Sequence, residues 1–99
     1  MFRLTSAKEA SAASRRVEFL YRAAAGQSVS VAGSFNDWDP EVLPMTYSAE
    51  LAAYTAAVVL ERGDYEYKFV VNGDWVIDEE NPAFIANDFG TLNSVVAVE

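Results

Sequence analysis

The stretch that most limits what this chain can become is residues 65–77. Tyr65, Tyr67, Phe69 and Val71 alternate with Glu66, Lys68 and Val70, and Asn72-Gly73 follows before Trp75, Val76 and Ile77. Side chains repeat every two residues along a strand, and Asn-Gly between two such runs favours a tight turn with positive φ at both central residues. The spacing predicts a β-hairpin with Val71 opposite Asp74, Val70 opposite Trp75, Phe69 opposite Val76 and Lys68 opposite Ile77. Opposed residues share a face of the sheet. Tyr67, Phe69, Val71 and Val76 therefore form one set, and Lys68, Val70, Trp75 and Ile77 the other. The first set is the more apolar and is expected to be core. Trp75 then stands on the outer face, diagonal to Lys68.

The rest of the chain repeats this language. Val17, Phe19 and Tyr21 alternate with Glu18, Leu20 and Arg22, which predicts the first strand, and Val29 and Val31 predict a second within residues 28–32. Residues 33–40 read as a polar loop. Residues 43–47 read as a short edge strand, because Pro44 cannot donate to a ladder. Residues 54–60 and 94–98 supply further strands, and residues 78–92, with Pro82 and Gly90, read as a long irregular loop. Residues 1–14 offer small side chains without an apolar stripe, so a flexible tail or loose helix is expected there, with residues 15–99 as the folded module. About seven short strands and no credible helix predict an all-β antiparallel sandwich.

Composition removes whole classes of chemistry. Among 99 residues there is no Cys and no His, which excludes disulfides, thiolate nucleophiles, Cys- or His-based metal sites and the serine triad. With 52% apolar residues the chain can fill one core. Five bases and two acids fall in residues 1–22, whereas residues 23–99 keep only Arg62 and Lys68 against thirteen acids, for a net charge of −8. Such a body repels phosphate backbones and anionic lipid, so neither nucleic acid nor membrane is expected as a partner. No secretory signal or membrane-spanning run is present in the sequence, and a cytoplasmic location is expected. No cofactor and no metal are expected.

A second Trp lies in Gly33-Ser34-Phe35-Asn36-Asp37-Trp38-Asp39-Pro40. Flanking acids and a following Pro make a deep core position awkward for Trp38. The alternative for each Trp is a plug in the sandwich interior, as in immunoglobulin domains.

Four segments together resemble a known family: Ala32-Gly33-Ser34-Phe35-Asn36-Asp37-Trp38, Tyr65-Glu66-Tyr67-Lys68-Phe69, Asn72-Gly73-Asp74-Trp75 and Asp88-Phe89-Gly90-Thr91-Leu92-Asn93-Ser94. In order and spacing they are similar to the glycogen-binding domain of AMP-activated protein kinase beta subunits, one of the family 48 carbohydrate-binding modules. The likeness covers residues 17–98. It implies an immunoglobulin-like sandwich of the early-set kind and an alpha-1,4-glucan ligand. It further implies that Trp38 and Trp75 stack on glucose rings, that Lys68 hydrogen-bonds sugar hydroxyls, and that Thr91 and Asn93 bond to the glucan. Phe89 stands where the family carries a Leu that reaches into the curved glucan. The sequence ends at Glu99, so the kinase-scaffolding part of a beta subunit is not expected to carry over, and the initiating Met1 favours a complete protein.

The physical chemistry of the ligand agrees. A pyranose offers an apolar C–H face and a rim of hydroxyls, which suit an indole and a few polar groups. If each Trp buries ~100 Å² against a sugar, ~25 cal/mol/Å² gives about 2.5 kcal/mol gross per ring. With two or three hydrogen bonds and the cost of association, an affinity between ~1 μM and ~1 mM is expected. The expectation is thus a non-catalytic module that binds alpha-glucan and places or regulates a partner, such as a glycogen-metabolising enzyme. A competing reading keeps the fold as a protein-interaction domain. A glycosidase pair or calcium site among Asp37, Asp39, Asp78, Glu79 and Glu80 is disfavoured by the short chain and the lack of EF-hand spacing.

Overall fold

The alternation of Val17, Phe19 and Tyr21 becomes a strand over Ser14–Arg22, and the run of Val, Thr and Tyr after Leu51 becomes another over Ala53–Glu61. The structure, a computed structural model, describes residues 1–6 and 14–99. Among them, nine strands follow in order: β1 (Phe2–Ser6), β2 (Ser14–Arg22), β3 (Val29–Gly33), β4 (Thr46–Ser48), β5 (Ala53–Glu61), β6 (Gly63–Val71), β7 (Asp74–Val76), β8 (Phe84–Ala86) and β9 (Leu92–Val98). One sheet has the order β1-β2-β5-β4, the other β3-β6-β9-β8 with β7 paired to β6. Every pairing is antiparallel. This is the expected all-β sandwich.

The core lies between the sheets. Val17 and Phe19 of β2 and Tyr54 and Leu60 of β5 face Val31 of β3, Tyr67 and Phe69 of β6 and Val96 of β9. Phe19 and Tyr67 bridge the sheets with ring centroids 4.8 Å apart, and Tyr21 meets Phe69 at 5.2 Å. Asn72 (φ 51°) and Gly73 (φ 87°) form the predicted turn, and the register pairs Val71 with Asp74, Val70 with Trp75 and Phe69 with Val76. The face assignment follows from this register: Tyr67 and Phe69 are fully buried, while Val71 and Val76 pack at the margin of the core.

Tyr67 carries a buried polar cluster into that core. Its hydroxyl donates to Asp78 Oδ2 at 2.6 Å and accepts from Asn81 Nδ2 at 3.0 Å, and Asp78 also pairs with the Met1 ammonium. Burial, followed by the hydrogen bond to the Asp78 carboxylate, pushes the Tyr67 hydroxyl far above its ordinary titration range, against the opposing donation from Asn81. At the outer face of the first sheet, partial desolvation raises Glu18. The hydrogen bonds and charges of Arg3 and Arg16 outweigh it and hold the carboxyl below its usual range.

Three expectations are corrected. The leading residues include a strand, because Phe2 and Leu4 pack against the core while β1 pairs with β2 from Phe2↔Phe19 to Ser6↔Arg15; residues 7–13 of the expected tail lie outside the described residues. The loop over residues 78–92 contains β8, whose three side chains are all exposed and so show no alternation. The edge strand expected at residues 43–47 splits between the sheets. Val31 N donates to Leu43 O at 3.0 Å and Met45 N to Val29 O at 2.8 Å, so Pro44 lies against β3, and only from Thr46 does the chain pair with β5.

Candidate functional site

The outer face of the β3-β6-β9-β8 sheet carries an open groove of about 600 Å³. Its floor is set by register. Lys68 and Glu66 lie two residues apart on β6, Asn93 is on β9, and Trp75 projects from β7 opposite Val70. Trp38, together with Ala86, Asn87, Asp88, Phe89 and Thr91 of the segment 86–91, completes the lining. All six residues singled out from the sequence line this groove: Trp38, Lys68, Trp75, Phe89, Thr91 and Asn93. Neither indole plugs the core: Trp75 is 44% exposed and Trp38 is half-buried.

The loop bearing Trp38 is built residue by residue from its motif. A Cβ on Gly33 would stand 2.5 Å from both Glu66 O and the Phe35 ring, so only glycine admits the approach of these groups. Ser34 exchanges two hydrogen bonds with the Glu66 backbone, its N donating to Glu66 O at 2.9 Å and its Oγ accepting from Glu66 N at 3.1 Å. Phe35 stacks on Phe19 at 5.8 Å and anchors the loop to the core. Asn36 closes the turn, with Oδ1 accepting from Gly33 N at 3.0 Å and Nδ2 donating to Val31 O at 3.1 Å. Asp37 (φ 56°) and Trp38 (φ 58°) are then both left-handed, a conformation that costs a side-chain-bearing residue ~1–2 kcal/mol. Gly33 O holds them by accepting from both Asn36 N and Trp38 N.

A polar lattice links the floor to the segment 86–91. Lys68 Nζ donates to Thr91 Oγ1 at 3.0 Å, and Asn87 Nδ2 donates to the same oxygen at 2.7 Å and to Asn93 Oδ1 at 3.0 Å. Asn93 Nδ2 in turn donates to Glu66 Oε1 at 2.9 Å. Phe89 rides above this lattice, 91% exposed, which rules out the core cap that a lone Phe usually provides. Phe89 is thus an aromatic left almost wholly in water beside a groove that holds two indoles.

Sequence reasoning missed Glu66, Asn87, Asp88 and Ser34 in this lining. Glu66 was accessible in principle, since the alternation that puts Lys68 outward does the same for its neighbour two residues earlier. Asn87 carried no such signal, lying in a segment read as irregular. The groove's charge is that of Lys68 against Glu66 and Asp88, with Asp37, Asp39 and Asp74 adjoining the two indoles in sequence. An uncharged ligand fits this field better than an anion. Among the described residues no group of His, Cys, Asp or Glu is placed to hold a metal ion, and no helix is long and apolar enough to cross a membrane.

Comparison with known proteins gives a family match over residues 16–99, to the glycogen recognition site of AMP-activated protein kinase. The 5'-AMP-activated protein kinase subunit beta-1 of Sus scrofa is 35% identical over 74 residues, covering 75% of this chain and 57% of that protein. The human beta-1 subunit is likewise 35% identical over 74 residues, 75% of this chain and 26% of its own length. The mouse beta-2 subunit is 34% identical over the same shares. The chain thus spans between about a quarter and just over half of the length of these relatives.

Proposed function

Because this chain belongs to the family of glycogen recognition sites of AMP-activated protein kinase, we propose that its groove binds an alpha-1,4-glucan without turning it over. Trp38 and Trp75 stack on the apolar faces of glucose units, Phe89 reaches into the curve of the chain, and Lys68, Thr91 and Asn93 bond to the hydroxyl rim. One observation carries the reading: two indoles that the core does not need border a single open groove with an ammonium group and a polar lattice. Aromatic faces bury the C–H surface of a sugar, and the lattice supplies the hydrogen bonds that its hydroxyls lose on leaving water.

Binding at one such groove is weak by the area argument above, so retention on a polymer rests on many chain ends. The relatives named above are subunits of a protein kinase. That favours a kinase assembly over the glycogen-metabolising enzyme expected from the sequence as the polypeptide held at the polymer. The test is native electrophoresis in gels cast with glycogen, together with Trp fluorescence on adding beta-cyclodextrin. Retardation and a saturable fluorescence change are expected. Unchanged mobility with unchanged fluorescence removes the glucan reading and leaves the protein-interaction alternative. Release of glucose or shorter chains from maltoheptaose would overturn the non-catalytic part.

A further inference from the structure

Asn87 has no part in the sugar contacts just proposed, yet every hydrogen-bonding position of its side chain is used. Its Oδ1 accepts from Phe89 N at 2.9 Å and from Thr91 N at 3.1 Å, and its Nδ2 donates to Thr91 Oγ1 and to Asn93 Oδ1. The orientation of this amide is forced. Backbone N–H groups can only donate, so the atom facing them is the oxygen and the other is the nitrogen. That nitrogen can only donate, so the Asn93 atom facing it is Oδ1, which turns Asn93 Nδ2 toward Glu66. Thr91 Oγ1 accepts twice, from Asn87 and from Lys68, and both of its lone pairs are occupied. Its own O–H hydrogen is the one position left for a partner from outside the lattice.

We propose that Asn87 is the positioning residue of the groove: it sets the hydrogen-bond polarity of the wall, so that Thr91 meets a ligand as a donor. The inference rests on the glucan reading and adds to it the sense of the contacts. Lys68 keeps two N–H groups, Asn93 keeps one, and Thr91 keeps its hydroxyl hydrogen, so these three residues offer donors beside the acceptor carboxylates of Glu66 and Asp88. The donors suit the oxygens of a sugar acting as acceptors. The same amide closes the loop that carries Phe89, alongside the backbone bond from Asn87 N to Thr91 O at 2.9 Å.

The variant Asn87→Asp separates polarity from shape. It keeps the acceptor for Phe89 N and Thr91 N, but replaces the donor with a second acceptor, toward which the Thr91 hydrogen must turn. Affinity for maltoheptaose, followed by Trp fluorescence, is expected to fall about tenfold or more, the scale of one lost hydrogen bond to a ligand, with the thermal midpoint within a few degrees of wild type. Thr91→Val alone is expected to weaken binding to a similar extent. Added to Asn87→Asp, it is expected to weaken binding less than about twofold further, because the donor it removes is already turned away. Wild-type protein that fails to bind defeats the glucan reading itself, before any variant is compared. Wild-type binding with Asn87→Asp within about twofold of it, or losses from the two substitutions that simply multiply, overturns the role of Asn87 and leaves the glucan reading standing.

Discussion

Trp75→Ala tests the glucan reading most directly, because the structure separates what Trp75 does for the fold from what it offers a ligand. The ring is 44% exposed on the outer face, opposite Val70 and outside the core cluster. A tryptophan of which about 250 Å² is available to bury leaves ~100 Å² uncovered at that exposure. At ~25 cal/mol/Å² its burial against a pyranose contributes about 2.5 kcal/mol, close to a hundredfold in Kd. A site of ~10–100 μM would then weaken to the millimolar range, where retardation in a glycogen gel disappears. The covered part of the ring shields Val70, so a loss of ~1–3 kcal/mol of stability accompanies the change, an upper bound on area grounds. Circular dichroism should still report a folded sandwich at 25 °C. The reasoning is refuted if the folded variant is retarded as strongly as wild type, since the ring would then touch no sugar.

Further expectations follow from other parts of the molecule. Lys68→Met keeps the aliphatic stem and removes the ammonium group, and is expected to weaken maltoheptaose binding about tenfold. Wild-type affinity should change less than about twofold between 50 and 500 mM salt, as for a neutral ligand; a steep salt slope in titrations would point to a charged one. Gly33→Ala forces a methyl group to within 2.5 Å of a backbone oxygen already fixed by Ser34 N, and is expected to cost ~1–3 kcal/mol and to lower the thermal midpoint by several degrees or more. Tyr67 keeps its proton in the fold at pH values where the unfolded chain, titrating near ~10, has lost it, so stability falls as pH rises above that point. Urea titrations from pH 7 to 11 should show that fall in wild type and a shallower one in Tyr67→Phe, which also loses about 1–3 kcal/mol at neutral pH because Asp78 and Asn81 each lose one buried hydrogen-bond partner; equal slopes would contradict the assignment.

Where a strand buries one face and shows the other to water, its residues announce it. β6, β7 and β2 were legible for that reason, down to the register of the hairpin, because Asn72-Gly73 leaves the turn little choice. β1 was not, since Phe2 and Leu4 are only two apolar positions and the ladder to β2 is formed by backbone that any sequence can supply. β8 was not, since Phe84, Ile85 and Ala86 are all exposed at a sheet edge and pair with β9 without a hydrophobic face to betray them. The sheet switch at Pro44 was half legible. Proline predicted an edge, but which sheet it edges depends on the bonds made by Leu43 and Met45 on either side of it.

The groove shows the opposite relation between local rule and structure. Core positions obey the two-residue period, and Tyr67, Phe69 and Val31 sit where alternation puts them. Around the groove the rules are broken repeatedly: an aspartate and a tryptophan take left-handed backbone in succession, a phenylalanine stands almost entirely in water, and a second tryptophan lies on the solvent side of a hairpin. The left-handed pair costs folding free energy and the exposed aromatics add little to the core, whereas Trp38, Trp75 and Phe89 converge on one groove with Lys68. That convergence, rather than any single aromatic, is what supports the proposed binding face. It also explains why Asn87 escaped notice in the sequence: its local chemistry is that of an ordinary loop amide, and the role proposed for it comes only from the bonds of its two polar atoms to Phe89, Thr91 and Asn93, and through Thr91 to Lys68.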